Sequence, residues 1–316
     1  MSPISSDEAI ENVLIALPGV SVRGANIGGM TTYRVGGPAR VLVVAESVEQ
    51  LSVLCRVIAL SAVSVVVLGF GSNMLVSDDG FDGVAVCLAS SMSAMQRVDI
   101  TTIRVGARAS LPVLARWSVE EGLTGFEWAV GVPGTVGGAV RMNAGGHGSE
   151  MSHALTRVRV FDLRTGEDVW MQSSELYLAY RGSALQAHDI VVEAEFSLKR
   201  GDRQHGADEL KQIVSWRRSN QPGGRNAGSV FANPPDDSAG RLIDMCGLKG
   251  FRIGSAHVST KHANFIQSDE GGTATDVFSV MSHVRREVVQ QQGVTLRIEN
   301  ELVGFSTAQR TELGLS

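Results

Sequence analysis

Helices are predicted wherever apolar residues recur every three or four positions, and several segments of the chain have this pattern. The first follows Ser5-Ser6-Asp7-Glu8, which fits a capping box, and Pro18 ends it. The others are predicted near residues 47–58, 111–121, 208–219, 238–245 and 273–292. Gly247 and Gly293 follow the last two and are typical of helix ends.

Strands are predicted for the short β-branched runs between these helices. They fall at 40–44, 63–68, 103–105, 157–162, 190–198 and 296–305. The segments 40–44 and 63–68 flank a predicted helix, which indicates a β-α-β unit. Residues 131–148 are predicted to form one long loop, and the polar stretch Arg200–Ala207 a linker between domains.

The composition indicates a folded chain that does not bind polyanions. Of 316 residues, 43% are hydrophobic and 19% charged, which excludes disorder, and the length suits two domains or more. The net charge is -5, and no Lys/Arg cluster provides the positive patch that nucleic acid requires. We therefore expect no nucleic-acid partner.

The cysteines and the N-terminal segment favour the cytoplasm. Cys55, Cys87 and Cys246 are too few and scattered for a disulfide framework or a zinc site, so we expect reduced core thiols and no metal. The first twelve residues carry acidic rather than basic groups, unlike a signal peptide. No apolar run approaches the roughly 18 residues that would span a membrane, so no membrane insertion is expected.

A first glycine-rich loop, Gly69-Phe70-Gly71-Ser72-Asn73, follows a predicted strand. Backbone N–H groups in such a loop can face an anion, and a diphosphate is the expected ligand. The loop lacks the third glycine of the Rossmann fingerprint and the Lys-Ser/Thr of a Walker A motif. Taken alone, the pattern is explained equally well by a tight structural turn.

A second loop begins at Gly131 and runs to Gly146, and small residues recur throughout it. Each glycine costs roughly 0.5 to 1 kcal/mol of backbone entropy where regular structure would have served. We therefore interpret the loop as a surface for a large flat ligand, such as a diphosphate joined to an isoalloxazine ring. A glycine-rich structural loop is the alternative.

Ordered motifs along most of the chain carry a family resemblance. They are TTYRVGGPA (31–39), GFGSNML (69–75), GFE (125–127), GVPGTVGGAVRMNAG (131–145), YRGS (180–183), QP (221–222), AGSVFANP (227–234), GLKG (247–250), KHANFI (261–266) and the segment 296–304. In this order and spacing they resemble the bacterial UDP-N-acetylenolpyruvoylglucosamine reductases. Without the resemblance, the residues indicate only a nucleotide-cofactor site and a separate second lobe.

The resemblance implies an α+β fold. It consists of an FAD-binding fold of the vanillyl-alcohol-oxidase type, with α/β subdomains at 1–83 and 84–200, and a C-terminal α+β substrate-binding domain at 208–316. Its final strand, near 296–305, would carry Glu299 back to the active site. The resemblance also implies non-covalent FAD and NADPH as reductant. It implies a small UDP-sugar substrate in peptidoglycan precursor synthesis, and we expect a monomer.

The reaction implied is reduction of the enolpyruvyl ether of UDP-N-acetylglucosamine enolpyruvate to UDP-N-acetylmuramate. It needs a hydride donor, a cation for the charge that develops toward the carboxylate, and a proton source. By resemblance, Ser229 is the proton donor, Arg181 the cation, and Glu299 a carboxylate near the reacting carbon. Without the resemblance, Ser229 would be interpreted as a turn serine and the other two as surface residues.

The remaining candidate site residues also rest on the resemblance. Those on the flavin side are Tyr33, Gly69, Gly71, Ser72, Asn73, Gly131, Pro133, Gly134, Thr135, Gly137, Gly138, Asn143 and Gly145. Those on the substrate side are Tyr180, Arg218, Gln221, Asn233 and Lys261. His262 is interpreted as a structural histidine rather than a nucleotide ligand.

The sequence departs from the family pattern in three places. Ala232 stands where a basic residue is frequent, and Asn300 stands where a small apolar residue is usual, which puts the register of that strand in doubt. The short span after Arg181 leaves no room for the substrate-capping tyrosine loop of one subgroup. Two alternatives remain: another FAD oxidoreductase of this fold, and a flavin- or nucleotide-binding protein without catalysis.

Overall fold

A computed structural model describes residues 4–315 of the chain; residues 1–3 and 316, at the outer ends of the first and last predicted domains, lie outside the described residues. The chain divides into two compact units. The first unit comprises the described part of Met1–Arg23, with Arg40–Gly69 and Gly83–Arg217. The second comprises Gly24–Ala39, Phe70–Asp82 and the described part of Arg218–Ser316. The three predicted domain ranges stay predictions.

The helices and strands are numbered here in chain order. The helices are α1 (Ser6–Ala16), α2 (Val48–Ile58), α3 (Leu111–Glu120), α4 (Val136–Arg141), α5 (Arg203–Asn220), α6 (Ala239–Met245), α7 (Ala274–Gln292) and α8 (Thr307–Glu312). The strands are β1 (Ser21–Arg23), β2 (Ala39–Ala45), β3 (Ser64–Leu68), β4 (Met74–Val76), β5 (Phe81–Leu88), β6 (Met95–Arg97), β7 (Thr102–Gly106), β8 (Leu123–Thr124), β9 (Gly145–Gly146), β10 (Ser149–Glu150), β11 (Leu155–Asp162), β12 (Asp168–Gln172), β13 (Asp189–Ser197), β14 (Lys199–Arg200), β15 (Arg252–Ile253), β16 (Ala256–Val258), β17 (Ile266–Ser268) and β18 (Glu301–Val303).

The first unit is built on two sheets. One has four strands in the order β1-β2-β5-β3, with β3 parallel to β5, and the other has five strands in the order β12-β11-β13-β7-β6, all antiparallel. From Gly83 to Leu88 every residue of β5 is buried, as expected of a central strand covered on both faces. Valines and leucines of both sheets belong to one hydrophobic core with α2 and α3.

The second unit has a separate core around α7. Val277, Val280, Met281, Val284 and Val288 recur at helical spacing on the buried face of this helix. Thr273 caps its first turn by accepting a hydrogen bond from the Asp276 N–H, and Gly293 ends it in the left-handed conformation. A three-stranded sheet, β15-β16-β17, and the parallel pair β4/β18 complete this unit.

Three of the sequence predictions need correction. The predicted linker is wrong from residue 203 onward, because α5 begins at Arg203 and includes the polar residues up to 207. The predicted loop 131–148 contains the short helix α4, which begins where the Thr135 hydroxyl accepts a hydrogen bond from the Gly138 N–H.

The third correction concerns a strand. The last predicted strand, 296–305, is regular only over Glu301–Val303, although Ile298 forms an isolated bridge with Phe231. In the predicted β-α-β unit, β2 and β3 belong to the same sheet with α2 between them in the chain, and β5 is inserted between the two strands. Side-chain periodicity predicts that a strand exists, but the order of strands depends on contacts between distant segments.

Candidate active site

A pocket in the first unit lies where Gly69, the first residue of the first loop, meets the second loop. It encloses about 500 Å³ of space, part of which is open to solvent. Its lining residues are Val67, Leu68, Gly69, Leu88, Ala107, Arg108, Thr135, Gly137, Gly138, Arg141, Asp189, Ile190 and Val191. Four predicted flavin-side residues, Gly69, Thr135, Gly137 and Gly138, are therefore brought together.

Close packing surrounds two of these glycines. A Cβ atom on Gly69 would lie 2.5 Å from Oγ1 of Thr135, and one on Gly137 would lie 3.1 Å from Cβ of Ala107. A side chain at Gly69 would therefore force Thr135 or the loop to move, whereas one at Gly137 would need only a small shift of its neighbour.

Three charged residues of the pocket were missed by sequence reasoning. Nη1 of Arg108 donates to the Gly69 carbonyl at 3.3 Å, and Nη1 of Arg141 donates to the Leu185 and Gln186 carbonyls at 3.2 and 2.7 Å. Asp189 accepts a hydrogen bond from the Gln186 N–H at 2.6 Å. The available signal was the position of Arg108 just after a buried strand, but only the fold brings that strand to the two loops.

Other residues of the second loop contact the chain around it. Gly131 ends a short 3-10 helix, and a Cβ atom there would lie 3.0 Å from Nε2 of His147. Asn143 is buried, donates to Glu150 and to the Ala179 carbonyl, and accepts from the Ser152 N–H. Its side chain therefore ties the second loop to the turn that follows Ala179.

Gly134 and Gly145 of the second loop are held through their backbone. The Gly134 carbonyl accepts a hydrogen bond from the Leu111 N–H at 3.1 Å, and Gly145 pairs with Glu150 between β9 and β10. Pro133, in contrast, is exposed. The predicted flavin-side residues of this loop therefore divide between the pocket and its surroundings.

The turn after Ala179 carries Arg181, the predicted cation. Arg181 has a positive φ of 59°, and Ala179 and Gly182 form a bridge on either side of it. Its guanidinium carbon lies 5.5 Å from the centre of the Tyr180 ring, which is half-exposed. Hydrogen bonds from Ser152 and Asn143, and more weakly the charges of His153 and Arg181, lower the pKa of Glu150, so this carboxylate is ionised at neutral pH.

Ser229 and Glu299 belong to the second unit and lie on neighbouring segments. The Glu299 N–H donates to the Val230 carbonyl at 2.8 Å, and the bridge between Phe231 and Ile298 continues this pairing. The proton donor and the carboxylate predicted by resemblance are therefore adjacent along a backbone pairing.

Asn73, at the end of the first loop, lies against the Glu299 segment. Its Nδ2 donates to the Glu299 carbonyl at 2.9 Å, and its carbonyl accepts from the Glu301 N–H at 2.8 Å. Asn300 is buried beside it and donates from Nδ2 to Oδ1 of Asn73 at 2.8 Å. Asn300 therefore ties the Glu299 segment to the end of the first loop.

Tyr33 is fully buried in the same region. Its hydroxyl donates to Oδ1 of Asn300 at 3.4 Å, and its carbonyl accepts from the Ser268 hydroxyl at 2.9 Å. Burial raises the pKa of Tyr33, and a hydrogen bond with the Ala227 backbone opposes this more weakly, so the phenol stays protonated.

The other two predicted residues of the first loop lie before Asn73. Gly71 has a φ of 60°, and a Cβ atom there would lie 2.7 Å from Cα of Thr31. Only glycine fits this position, because both the conformation and the space exclude a side chain. Ser72 is half-buried.

The substrate-side candidates of the second unit have local contacts. Nζ of Lys261 donates to the Arg218 carbonyl, and Oδ1 of Asn233 accepts from the Ala239 N–H at 3.1 Å at the start of α6. Arg218 is exposed and Gln221 is half-buried. These residues are therefore held near the surface of the unit, where a ligand can reach them.

His262 lies next to Lys261 and is half-buried. Burial, and then the charge of Lys249, lowers the pKa of His262, and the ring accepts a hydrogen bond from the Asn264 N–H. A neutral structural histidine fits these contacts.

Among the described residues, one group of side chains could hold a metal ion. It consists of Asp162, His188 and Asp189, whose ligand atoms lie within 4.8 Å of one another. Backbone N–H groups already occupy one oxygen of Asp162 and one of Asp189.

The described part of the chain has no helix long and apolar enough to cross a membrane.

Two family models match the chain in succession. A model of the FAD binding domain matches residues 38–172, and a model of the UDP-N-acetylenolpyruvoylglucosamine reductase C-terminal domain matches residues 220–303. The first contains every residue of the pocket except Asp189, Ile190 and Val191, and the second contains Ser229 and Glu299. The predicted fold class is thereby confirmed.

Known proteins are similar over nearly the whole chain. The UDP-N-acetylenolpyruvoylglucosamine reductase of Halalkalibacterium halodurans is 41% identical over 87% of this chain and 91% of its own length. Reductase 2 of Symbiobacterium thermophilum is 40% identical over 97% and 98%. The crystal structure of the Thermus caldophilus enzyme matches with a TM-score of 0.77 and 36% identity, covering 90% of this chain and 98% of that one. With such identity over nearly full length, the chain belongs to the UDP-N-acetylenolpyruvoylglucosamine reductase family.

Proposed function

We propose that the chain reduces the enolpyruvyl group of UDP-N-acetylglucosamine enolpyruvate, with FAD as cofactor and NADPH as reductant, to give UDP-N-acetylmuramate. The observation that carries this proposal is the backbone pairing that sets Ser229 beside Glu299 in a chain of this family. A protein that only binds flavin has no need for a proton donor and a carboxylate on paired segments.

The pocket of the first unit fits part of FAD. Gly69, Gly137 and Gly138 leave part of its lining without side chains, and Arg108 places a cation at the edge of the first loop. A cation suits a diphosphate because charge-assisted hydrogen bonds to phosphate oxygens are short and strong. We propose that FAD is held without a covalent bond, since the described lining of this pocket contains neither histidine nor cysteine.

When bound, FAD supplies the hydride, which it obtains from NADPH. The protein has the remaining tasks. Arg181 would hold the substrate carboxylate and stabilise the negative charge that develops on it, as a guanidinium can grip two carboxylate oxygens. Ser229 would deliver a proton to the neighbouring carbon, and Glu299 would lie beside the reacting carbon.

Substrate recognition is proposed for the polar residues around these groups. Tyr180, Arg218, Gln221, Asn233 and Lys261 are the candidates for the UDP-sugar. We propose that the chain acts as a monomer. The three free cysteines and the nicotinamide reductant support a cytoplasmic location.

Product analysis tests this proposal. The purified protein is incubated with the enolpyruvyl substrate and NADPH, and the product is identified by mass spectrometry after reaction in H₂O and in D₂O. The proposal predicts a product with two more hydrogen atoms, at least one of which comes from solvent. Oxidation of NADPH without a reduced UDP-sugar would support another flavin oxidoreductase.

A further inference from the structure

The buried amide of Asn300 joins segments that are far apart in the sequence. Its Oδ1 accepts from the Tyr33 hydroxyl at 3.4 Å, and its Nδ2 donates to Asn73 at 2.8 Å. The same Nδ2 lies 3.3 Å from the Ala227 carbonyl and 3.5 Å from the Ser229 carbonyl. These five residues, Tyr33, Asn73, Ala227, Ser229 and Asn300, are called the Asn300 cluster.

Burial makes this cluster rigid. Asn300 is 3% exposed and Tyr33 is fully buried, so water cannot replace a lost partner. A buried polar group that loses its partner keeps the full desolvation penalty, whereas a satisfied network holds one arrangement. Because the members come from four segments of the second unit, the arrangement fixes those segments against one another.

The cluster also contains the residues on which the proposed reaction depends. Asn73 is bound to the Glu299 carbonyl as well as to Asn300, and the Ser229 carbonyl faces the same Nδ2 group. A displacement of the Asn300 amide would therefore move the end of the first loop, the Ser229 segment and Glu299 together.

We infer that Asn300 is a positioning residue, which holds Ser229 and Asn73 in register with Glu299. The inference rests on the proposed function. It assigns a role to a side chain that touches no reacting atom, and that acts through the backbone of Ser229 and through Asn73.

Two variants separate the parts of the cluster. Asn300→Val removes both the donor and the acceptor. Asn300→Asp keeps the shape and the acceptor for Tyr33, but places an oxygen against Oδ1 of Asn73. Asp276→Ala is the matched control, because it removes two hydrogen bonds to Ser255 elsewhere in the second unit.

The experiment measures each half-reaction of the FAD-saturated proteins by anaerobic stopped flow, and their thermal unfolding. Asn300→Val and Asn300→Asp should slow flavin reoxidation by the enolpyruvyl substrate by about 10- to 100-fold, the effect of a misplacement of about 1 Å. Flavin reduction by NADPH should be preserved. Asp276→Ala should lower the unfolding temperature and change neither half-reaction.

The outcomes distinguish the two proposals. If the wild-type protein is reoxidised by substrate and both Asn300 variants match it, the inference on Asn300 is wrong and the proposed function stands. Equal slowing of both half-reactions in the variants would also overturn the inference. If the wild-type flavin is not reoxidised by substrate, the proposed function fails, and the role of Asn300 fails with it.

Discussion

The two units build their candidate sites by different physical means. In the first unit, glycines line part of the pocket, and Gly69 and Gly137 pack closely against Thr135 and Ala107. In the second, Ser229 and Glu299 lie among buried side chains that hydrogen bond to one another. A cofactor that stays bound through many reactions needs a binding surface of complementary shape, whereas a proton donor needs a fixed position. Substitutions in the two units are therefore expected to affect different properties.

The largest effect is expected from Ser229→Ala. Loss of general acid catalysis should slow flavin reoxidation by substrate by at least roughly 100-fold, while NADPH still reduces the flavin. Stopped-flow measurement of both half-reactions checks this, with Ser279→Ala, a serine on α7 that bonds to the Thr275 carbonyl, as the control. Slowing of both half-reactions to the same degree would refute the assigned role.

Gly69→Ala should lower the affinity for FAD. The added Cβ atom would lie 2.5 Å from Oγ1 of Thr135, so either the loop or Thr135 must move. Overpacking of this kind costs about 1 to 3 kcal/mol, which corresponds to roughly 5- to 150-fold weaker FAD binding. Fluorescence titration of apoprotein gives the affinity. Gly223→Ala, where a Cβ atom meets open space, should bind like wild type.

A smaller effect is expected from Arg108→Ala. Loss of one hydrogen bond near a phosphate should cost about 1 kcal/mol, or roughly fivefold in FAD affinity. Riboflavin has no diphosphate, so its binding should stay unchanged, and the exposed Arg116→Ala serves as control. If the variant bound FAD and riboflavin equally more weakly, Arg108 would not contact the diphosphate.

The last effect concerns stability rather than cofactor binding or catalysis, and it involves Cys87, next to the pocket residue Leu88. Burial raises the pKa of Cys87 to about 11, and the charge of Arg108 opposes this more weakly. Because folding favours the neutral thiol, Cys87 adds to the free energy of unfolding at pH values below the ordinary pKa of a thiol. This added stability is lost as the pH rises toward 11, and the total loss is about 2 to 3 kcal/mol. Urea unfolding from pH 8 to 10.5 should show a steeper decline in wild type than in Cys87→Ala, and parallel curves would contradict this.

Local features of the chain were predicted well from the sequence. The cap at Thr273, the apolar face that follows it and Gly293 together define α7 within one residue. Gly69 and Gly137 belong to two glycine-rich runs that are visible in the sequence, and both line the pocket of the first unit; their role in holding the cofactor stays a prediction. Such signals depend on neighbouring residues, so one sequence is enough to detect them.

Features that depend on distant partners were not predictable. Asn300 was recognised only as a departure from a pattern, because its partner Tyr33 lies 267 positions away. Arg108 was missed for the same reason, since only the fold places it beside Gly69. The polar residues 203–207 were interpreted as a linker because their composition is polar, although an exposed helix has the same composition.

Anaerobic spectroscopy of the wild-type flavin tests whether the enolpyruvyl substrate is the electron acceptor. Under exclusion of oxygen, NADPH is added to the FAD-loaded protein, and UDP-N-acetylglucosamine enolpyruvate follows. If the chain catalyses the proposed reaction, NADPH bleaches the flavin, and the substrate restores its absorbance while UDP-N-acetylmuramate forms. A flavin that stays bleached after addition of the substrate would rule out the proposed reaction.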